Sequence, residues 1–326
     1  MLSQITIFFL FIEMKNWTEV SEFILLGLIK DHRLQQVLFT FFLLLYIACL
    51  LGNGVILGIT LAEPQLHTPM YFFLGNLSGL DICYSTVTVP TILSGFLRKN
   101  QSISFTGCLT QLHFFHFLGS SEGMLLGIMA CDRYVAICSP LRYTLLMNKW
   151  TCLTLMGTMW ATGFSYALMY TVVTSQLCFC GPKLVPHLFC DIKPLLKLAC
   201  SSTALSFILL NAVTGSFAFY LLFFTLLSYF YIISLLFLKV QSWQNHWKAF
   251  STCASHLTVV AMFYIPVLSN YMLASTSGSS EKDLIISLLY TVFTPVLNPL
   301  IYCLRNQEVK SAIRKILTQN ILFKRT

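Results

Sequence analysis

Met129, Ala130, Cys131, Asp132, Arg133, Tyr134, Val135, Ala136, Ile137, Cys138 is the stretch that decides the fold. It sets an Asp and an Arg inside, or at the end of, a segment apolar enough to cross a bilayer. An ionisable pair costs free energy there, so a functional role is the default reading.

The rest of the chain has the same character. Its 326 residues are 56% hydrophobic and only 10% charged, with a mean hydropathy of +0.75. A water-facing surface needs more charge than that. A bilayer core takes roughly 20 apolar residues per helix. Seven such runs are present, at roughly 34–61, 68–93, 108–138, 150–173, 203–238, 248–274 and 283–304. Runs such as Tyr220 to Leu238 are apolar all round, whereas an outer-membrane barrel strand alternates. The predicted fold is an all-α membrane protein, a seven-transmembrane helix bundle. Residues 1–33 form an extracellular N-terminal segment, 34–304 the membrane domain, and 305–326 a cytoplasmic amphipathic helix and tail. In that last segment Val309, Ile313, Ile316 and Leu317 make one apolar stripe with Lys310, Arg314 and Lys315 off it, as suits a helix lying on a leaflet.

The net charge of +8 is scattered over loops, which argues against nucleic acid as a partner. Asn16, Trp17, Thr18 is an acceptor for N-glycosylation just before the first span, which sets the N-terminus outside. Residues 1–13 are apolar but too short to span. They lack the basic start and small-residue cleavage site of a signal peptide, so Met14 is read as the usual start and what precedes it as an extension.

Of 12 cysteines, Cys108 opens the third span on the outer side, and Cys180, Cys190 and Cys200 lie in the long loop after the fourth. An oxidising exterior favours a bridge from Cys108 that would hold the loop over the bundle's mouth as a lid. Asp81 and Glu122 lie in the second and third spans, with Asn53 and Asn298 in the first and seventh. Buried carboxylates must pair, protonate or hold a cation. Phe115, Gly119, Glu122, Leu126 and Arg133 share one stripe of the third helix. The reading is a cation such as sodium, or a shared proton, between Asp81, Glu122 and Asn298; a structural hydrogen-bond network meets the same demand. Pro295 and Pro299 each remove an amide donor from the seventh helix, leaving carbonyls for Asn298 or water and making a hinge. There is no metal-ligand cluster, phosphate loop or nucleophile constellation, so no enzyme and no resident cofactor is expected apart from that ion. A transporter predicts inverted repeats and paired broken helices, and neither is found.

Asp132, Arg133, Tyr134 together with Asn298, Pro299, Leu300, Ile301, Tyr302 resemble the rhodopsin-like G-protein-coupled receptors. Further motifs narrow the resemblance to the tetrapod-type vertebrate odorant receptors: Leu66 to Leu74 (LHTPMYFFL), Met129 to Cys138, Ser228 with Tyr229, Lys248 to His256 (KAFSTCASH) and Pro295 to Tyr302 (PVLNPLIY). They cover roughly residues 14–318.

The resemblance implies a plasma-membrane receptor that takes a small, mostly apolar volatile from outside. It then activates a heterotrimeric G protein of the olfactory stimulatory type and raises cyclic AMP. A chemoreceptor of the same family working outside the nose is the alternative. It implies disulfides Cys108–Cys190 and Cys180–Cys200. Arg133 would be restrained by Asp132 at rest and face Tyr229 when active, with Tyr134, Lys248, His256, Asn298, Pro299 and Tyr302 in the coupling machinery. By position, the ligand would lie among Leu112, Phe115, His116, Gly119 and Ser120 of the third span and Val213, Thr214 and Phe217 of the fifth. Tyr264, Val267, Leu268 and Tyr271 of the sixth and Leu288 and Thr291 of the seventh complete the set. His116, Ser120, Thr214, Tyr271 and Thr291 are its polar anchors. Phe115 stands where amine receptors carry a carboxylate, which disfavours an amine. The chain departs from the family pattern at Cys131, where Tyr is usual, and at Gln241 to Trp247, which carries no Lys or Arg. The second departure bears on coupling.

Overall fold

The computed structural model describes residues 20–25, 31–98, 101–179, 183–200, 204–239, 243–272, 280–305 and 308–315. Seven long helices run through it: His32–Ala62, Pro69–Leu97, Phe105–Cys138, Lys149–Ser175, Ala204–Lys239, Trp243–Met272, and a seventh built from Ser280–Leu288, Leu289–Phe293 and Thr294–Arg305. Each falls on one of the seven apolar runs. Among the described residues six are long and apolar enough to cross a membrane. The fourth is as long as the others but carries more Thr and Ser. Large apolar side chains face outward along the bundle; Leu51, Phe219, Phe223 and Phe230 are all half exposed or more. A belt of that kind suits hydrocarbon and not water.

Helix ends follow local chemistry. Asp31, Ser104 and Asn148 are N-caps whose side chains accept from the amides of Arg33, Gly107 and Thr151. Pro69 occupies the first turn of the second helix, and Pro140 follows the third.

One end of the bundle is closed by a feature the sequence reading lacked. β1 (Glu22–Leu25) pairs antiparallel with β2 (Gln101–Ser104) and parallel with β3 (Leu184–Val185), giving the order β2-β1-β3. Phe23 and Leu25 turn inward beneath this sheet, onto Cys108, Leu112 and Cys190. Asp191 then caps a short loop helix, Ile192–Leu198, buried from Ile192 to Leu196.

The seventh helix widens to a π-turn at Leu289–Phe293, just before Pro295. Such turns are frequent at functional sites and are one cause of helix kinks. Pro299 has no N–H for the carbonyl of Pro295 four residues back. Asn53 Nδ2 of the first helix supplies the missing donor at 2.9 Å, which corrects the expectation that Asn298 or water would do so. Gly52 permits the approach, since a Cβ there would lie 3.0 Å from that of Pro299.

At the opposite end from the sheet, residues 308–315 form a further helix. Val309 is buried against the bundle and Ile313 packs beside it. Tyr71 Oη donates to Glu308 Oε2 and Lys315 Nζ to Glu63 Oε2, each at 2.7 Å. Ile316 and Leu317 of the expected stripe lie outside the described residues.

Candidate functional site

The loop after the fourth helix is fastened down over the bundle. Cys108 and Cys190 are joined by a disulfide, with Cα atoms 5.4 Å apart. Gln111 Oε1 accepts from the amide of Cys190 at 2.9 Å, while its Nε2 donates to the Val87 carbonyl and to Thr91 Oγ1. Lys193 Nζ donates to the backbone and side-chain oxygens of Asn270 on the sixth helix. Lys197 pairs with Asp283 at 3.5 Å. Burial lowers the proton affinity of His187 and of Lys193 below their ordinary values, with Asp191 opposing in both cases. Cys200 is disulfide-bonded, but Cys180 lies outside the described residues, as do Asn16 and its tripeptide.

Beneath this lid lies a cavity of about 60 Å³. The lid meets it through Phe189, whose ring is 5.1 Å from that of Phe115. Phe115, His116, Gly119 and Ser120 line it from the third helix, Thr214 and Phe217 from the fifth, and Tyr264, Val267 and Tyr271 from the sixth. Five other residues of the expected set are not in its wall. Leu112 is buried with Cys108 beneath the sheet. Val213 is one position from Thr214, hence turned by about 100° on the helix, and is exposed on the outer face. Leu268 and Leu288 pack against the core. Thr291 is buried and donates to the Ser287 carbonyl at 2.6 Å.

The sequence reading missed Tyr84, Gly123, Tyr166, Phe263 and Tyr290, and also Ala218 and Leu221. Gly123 was within reach, being one turn from Gly119 on the same stripe; its carbonyl accepts from Tyr264 Oη at 2.8 Å. Tyr166 comes from the fourth helix, to which no site residue had been assigned. Its hydroxyl bonds Thr214 Oγ1 at 2.9 Å. A larger groove, about 820 Å³, lies between the first, second and fourth helices. Exposed Leu61 and Phe72 on its wall show that it opens to the outside of the bundle, away from the lid.

Deeper in the bundle Asp81, Glu122 and Asn298 are all buried. Asn298 Nδ2 reaches both oxygens of Asp81. Both oxygens of Glu122 are buried without a hydrogen-bond partner among the described residues.

At the far end Asp132 Oδ1 accepts from Tyr143 Oη at 2.9 Å. Arg133 is buried nearby, and Tyr229 Oη and His256 Nδ1 are hydrogen-bonded at 2.8 Å. Tyr302 is buried, with its hydroxyl unpartnered. Pro299 lies within the seventh helix, and Tyr134 is exposed beside Tyr231. The side chain of Lys248 lies outside the described residues.

Comparison with known proteins agrees with this architecture. Residues 42–320 match the family model described as olfactory receptor. The chain is 55% identical to human Olfactory receptor 12D1 over 93% of its length and 94% of that protein's. It is 53% identical to human Olfactory receptor 12D2 over 93% and 99% of the two chains. To mouse Olfactory receptor 1E16 it is 43% identical over 93% and 96%.

Proposed function

The chain belongs to the olfactory receptor family, a family of receptors and not of enzymes, and from that premise we propose how it works. It sits in the plasma membrane with its N-terminus and lid outside. It binds small, mostly apolar volatiles in the cavity under the lid and activates a heterotrimeric G protein of the olfactory stimulatory type, raising cyclic AMP.

The observation that carries the reading is the cavity between Phe115, Thr214, Phe217 and Tyr264, with a lid above it and the Asp132–Arg133 pair at the opposite end of the same third helix. At about 60 Å³ the cavity is smaller than the ~150 Å³ that admits benzene in an engineered core. A ligand therefore displaces side chains on entering. Tyr264 stands in the wall and is bonded to the Gly123 carbonyl, so displacement acts on the contact between the third and sixth helices. Tyr229 and His256 join the fifth and sixth helices at the far end, beside Arg133. Parting of that contact would bare Arg133 to the G protein.

Glu122 and Asp81 would hold a sodium ion or a shared proton, a reading supported by the two unpartnered oxygens of Glu122 and the burial of both carboxylates. Replacing sodium with a bulky organic cation should then shift ligand potency, and Glu122→Gln should remove the shift. An equal shift in the variant would leave a purely structural network.

The test of the main reading is cyclic AMP in cells expressing the chain with the olfactory G protein, screened against apolar volatiles. A response abolished by Arg133→Ala is expected. A response that survives Arg133→Ala in full, at equal surface expression, would overturn the coupling scheme.

A further inference from the structure

The polar groups around the cavity largely satisfy one another. Tyr166 bonds Thr214, Tyr264 donates to the Gly123 carbonyl, Ser120 to the Phe117 carbonyl, and Tyr290 accepts from Asn270. Among the described residues in its wall, only His116 carries a buried polar atom without a hydrogen-bond partner, Nε2. That nitrogen lies 3.9 Å from Asp191 Oδ1, too far for a hydrogen bond. Neither group has much freedom to close the gap. The imidazole packs against the ring of Tyr170 at a 30° tilt, with centroids 4.3 Å apart. The Asp191 carboxylate is buried and held at 2.7 Å by the amide of Ile192, which it caps.

We propose that His116 and Asp191 form a head-group subsite for a ligand hydroxyl, which makes this chain prefer alcohols and phenols to other volatiles of the same shape. This rests on the reading of the cavity as the ligand site. A hydroxyl oxygen about 2.8 Å from both atoms spans the 3.9 Å gap, accepting from Nε2–H and donating to the carboxylate. The carboxylate favours the tautomer with its proton on Nε2. An aldehyde or ether accepts from Nε2–H but turns lone pairs toward Asp191. A carboxylic acid brings a second negative charge, and an ammonium opposes a donor to Nε2–H. The apolar remainder of the ligand lies toward Phe217, Ala218 and Leu221.

The experiment uses the purified full-length chain and a panel of small alcohols, each with the aldehyde, methyl ether, carboxylic acid and amine of the same skeleton. Binding is read from the ligand-induced rise in melting temperature, which needs no G protein. Alcohols should bind at least about ten-fold more tightly than their partners, because a site built to bond a hydroxyl rejects analogues that lack it. His116→Phe should flatten that ranking. Asp191→Asn, which keeps the helix cap, should narrow the margin over the acids. Alcohols matched or beaten by ethers, acids or amines, no alcohol binding at all, or an unchanged ranking in His116→Phe would overturn the proposal. Ala218→Trp fills the cavity away from His116. If every class still binds that variant, the cavity reading itself falls; if none does and the ranking is wrong, only the head-group proposal falls.

Discussion

Asn298 Nδ2 sits astride the Asp81 carboxylate, 3.2 Å from Oδ1 and 3.0 Å from Oδ2, and ties the second helix to the seventh in the middle of the bundle. Asp81→Ala leaves that buried amide without its acceptor. The expected loss is ~1–3 kcal/mol of stability, the usual cost of an unsatisfied buried donor. Asp81→Asn keeps an acceptor oxygen and should lose less. Melting temperatures of the two purified variants check the order, and equal losses would contradict it.

Gln111 serves three partners at once: the Cys190 amide, the Val87 carbonyl and Thr91 Oγ1. Gln111→Leu has nearly the same shape and serves none of them. The lid should loosen although the disulfide persists. Amide hydrogen exchange at residues 187–192 is expected to rise at least ten-fold, equivalent to ~1.4 kcal/mol by the usual conversion. Unchanged exchange would mean that the disulfide alone holds the loop.

Acid should weaken the lid through His187. Its ring is buried against Phe189 and Ser287, and burial holds its proton affinity below the ordinary value. A group whose folded pKa is depressed leaves stability intact above its unfolded pKa, about 6.5 for histidine. Stability is then lost as pH falls from there toward the folded value, because the unfolded chain binds the proton more readily. Melting temperature against pH should fall below about 6.5. His187→Asn should flatten the fall; an identical profile in the variant would shift the blame to another group.

Gly123 is a tightly packed part of the cavity wall, since a Cβ there would come within 3.2 Å of Phe263 and 3.3 Å of Tyr264 Oη. Gly123→Ala should fold and yet bind bulky ligands about ten-fold less tightly, within the ~1–3 kcal/mol that one methylene commands in an apolar pocket. Compact ligands should be spared. A uniform loss across ligand sizes would indicate damage to the Tyr264 contact instead.

The seven helices were legible because hydrocarbon demands long apolar runs; the caps Asp31, Ser104 and Asn148 that fix three of their starts were not read from the sequence. β1 and β3 were not legible. Each is four residues or fewer, and they pair across more than a hundred residues, so no local pattern announces them. Phe115, His116, Gly119 and Ser120 were placed in the cavity wall by the family resemblance, carried over by position, and the third helix does present them there. Val213 fell outside because a one-residue error on a helix turns a side chain by about 100°. Tyr166 and Asp191 were missed for another reason. The first lies on a helix without charged landmarks and the second in a loop whose path only the disulfide and the sheet determine.

The contact between Asn53 and the Pro295 carbonyl joins residues 242 positions apart. Synthesised at ~5–20 residues per second, the first helix waits roughly ten to fifty seconds for the seventh to be made. Throughout that time it carries an amide into the membrane whose final acceptor does not yet exist. One N–H of Asn53 can bond the Cys49 carbonyl within its own helix from the start, but the other has its acceptor only once the last helix is made, so a ribosome stalled before residue 295 would deliver a bundle in which the first helix lacks that tie to the seventh.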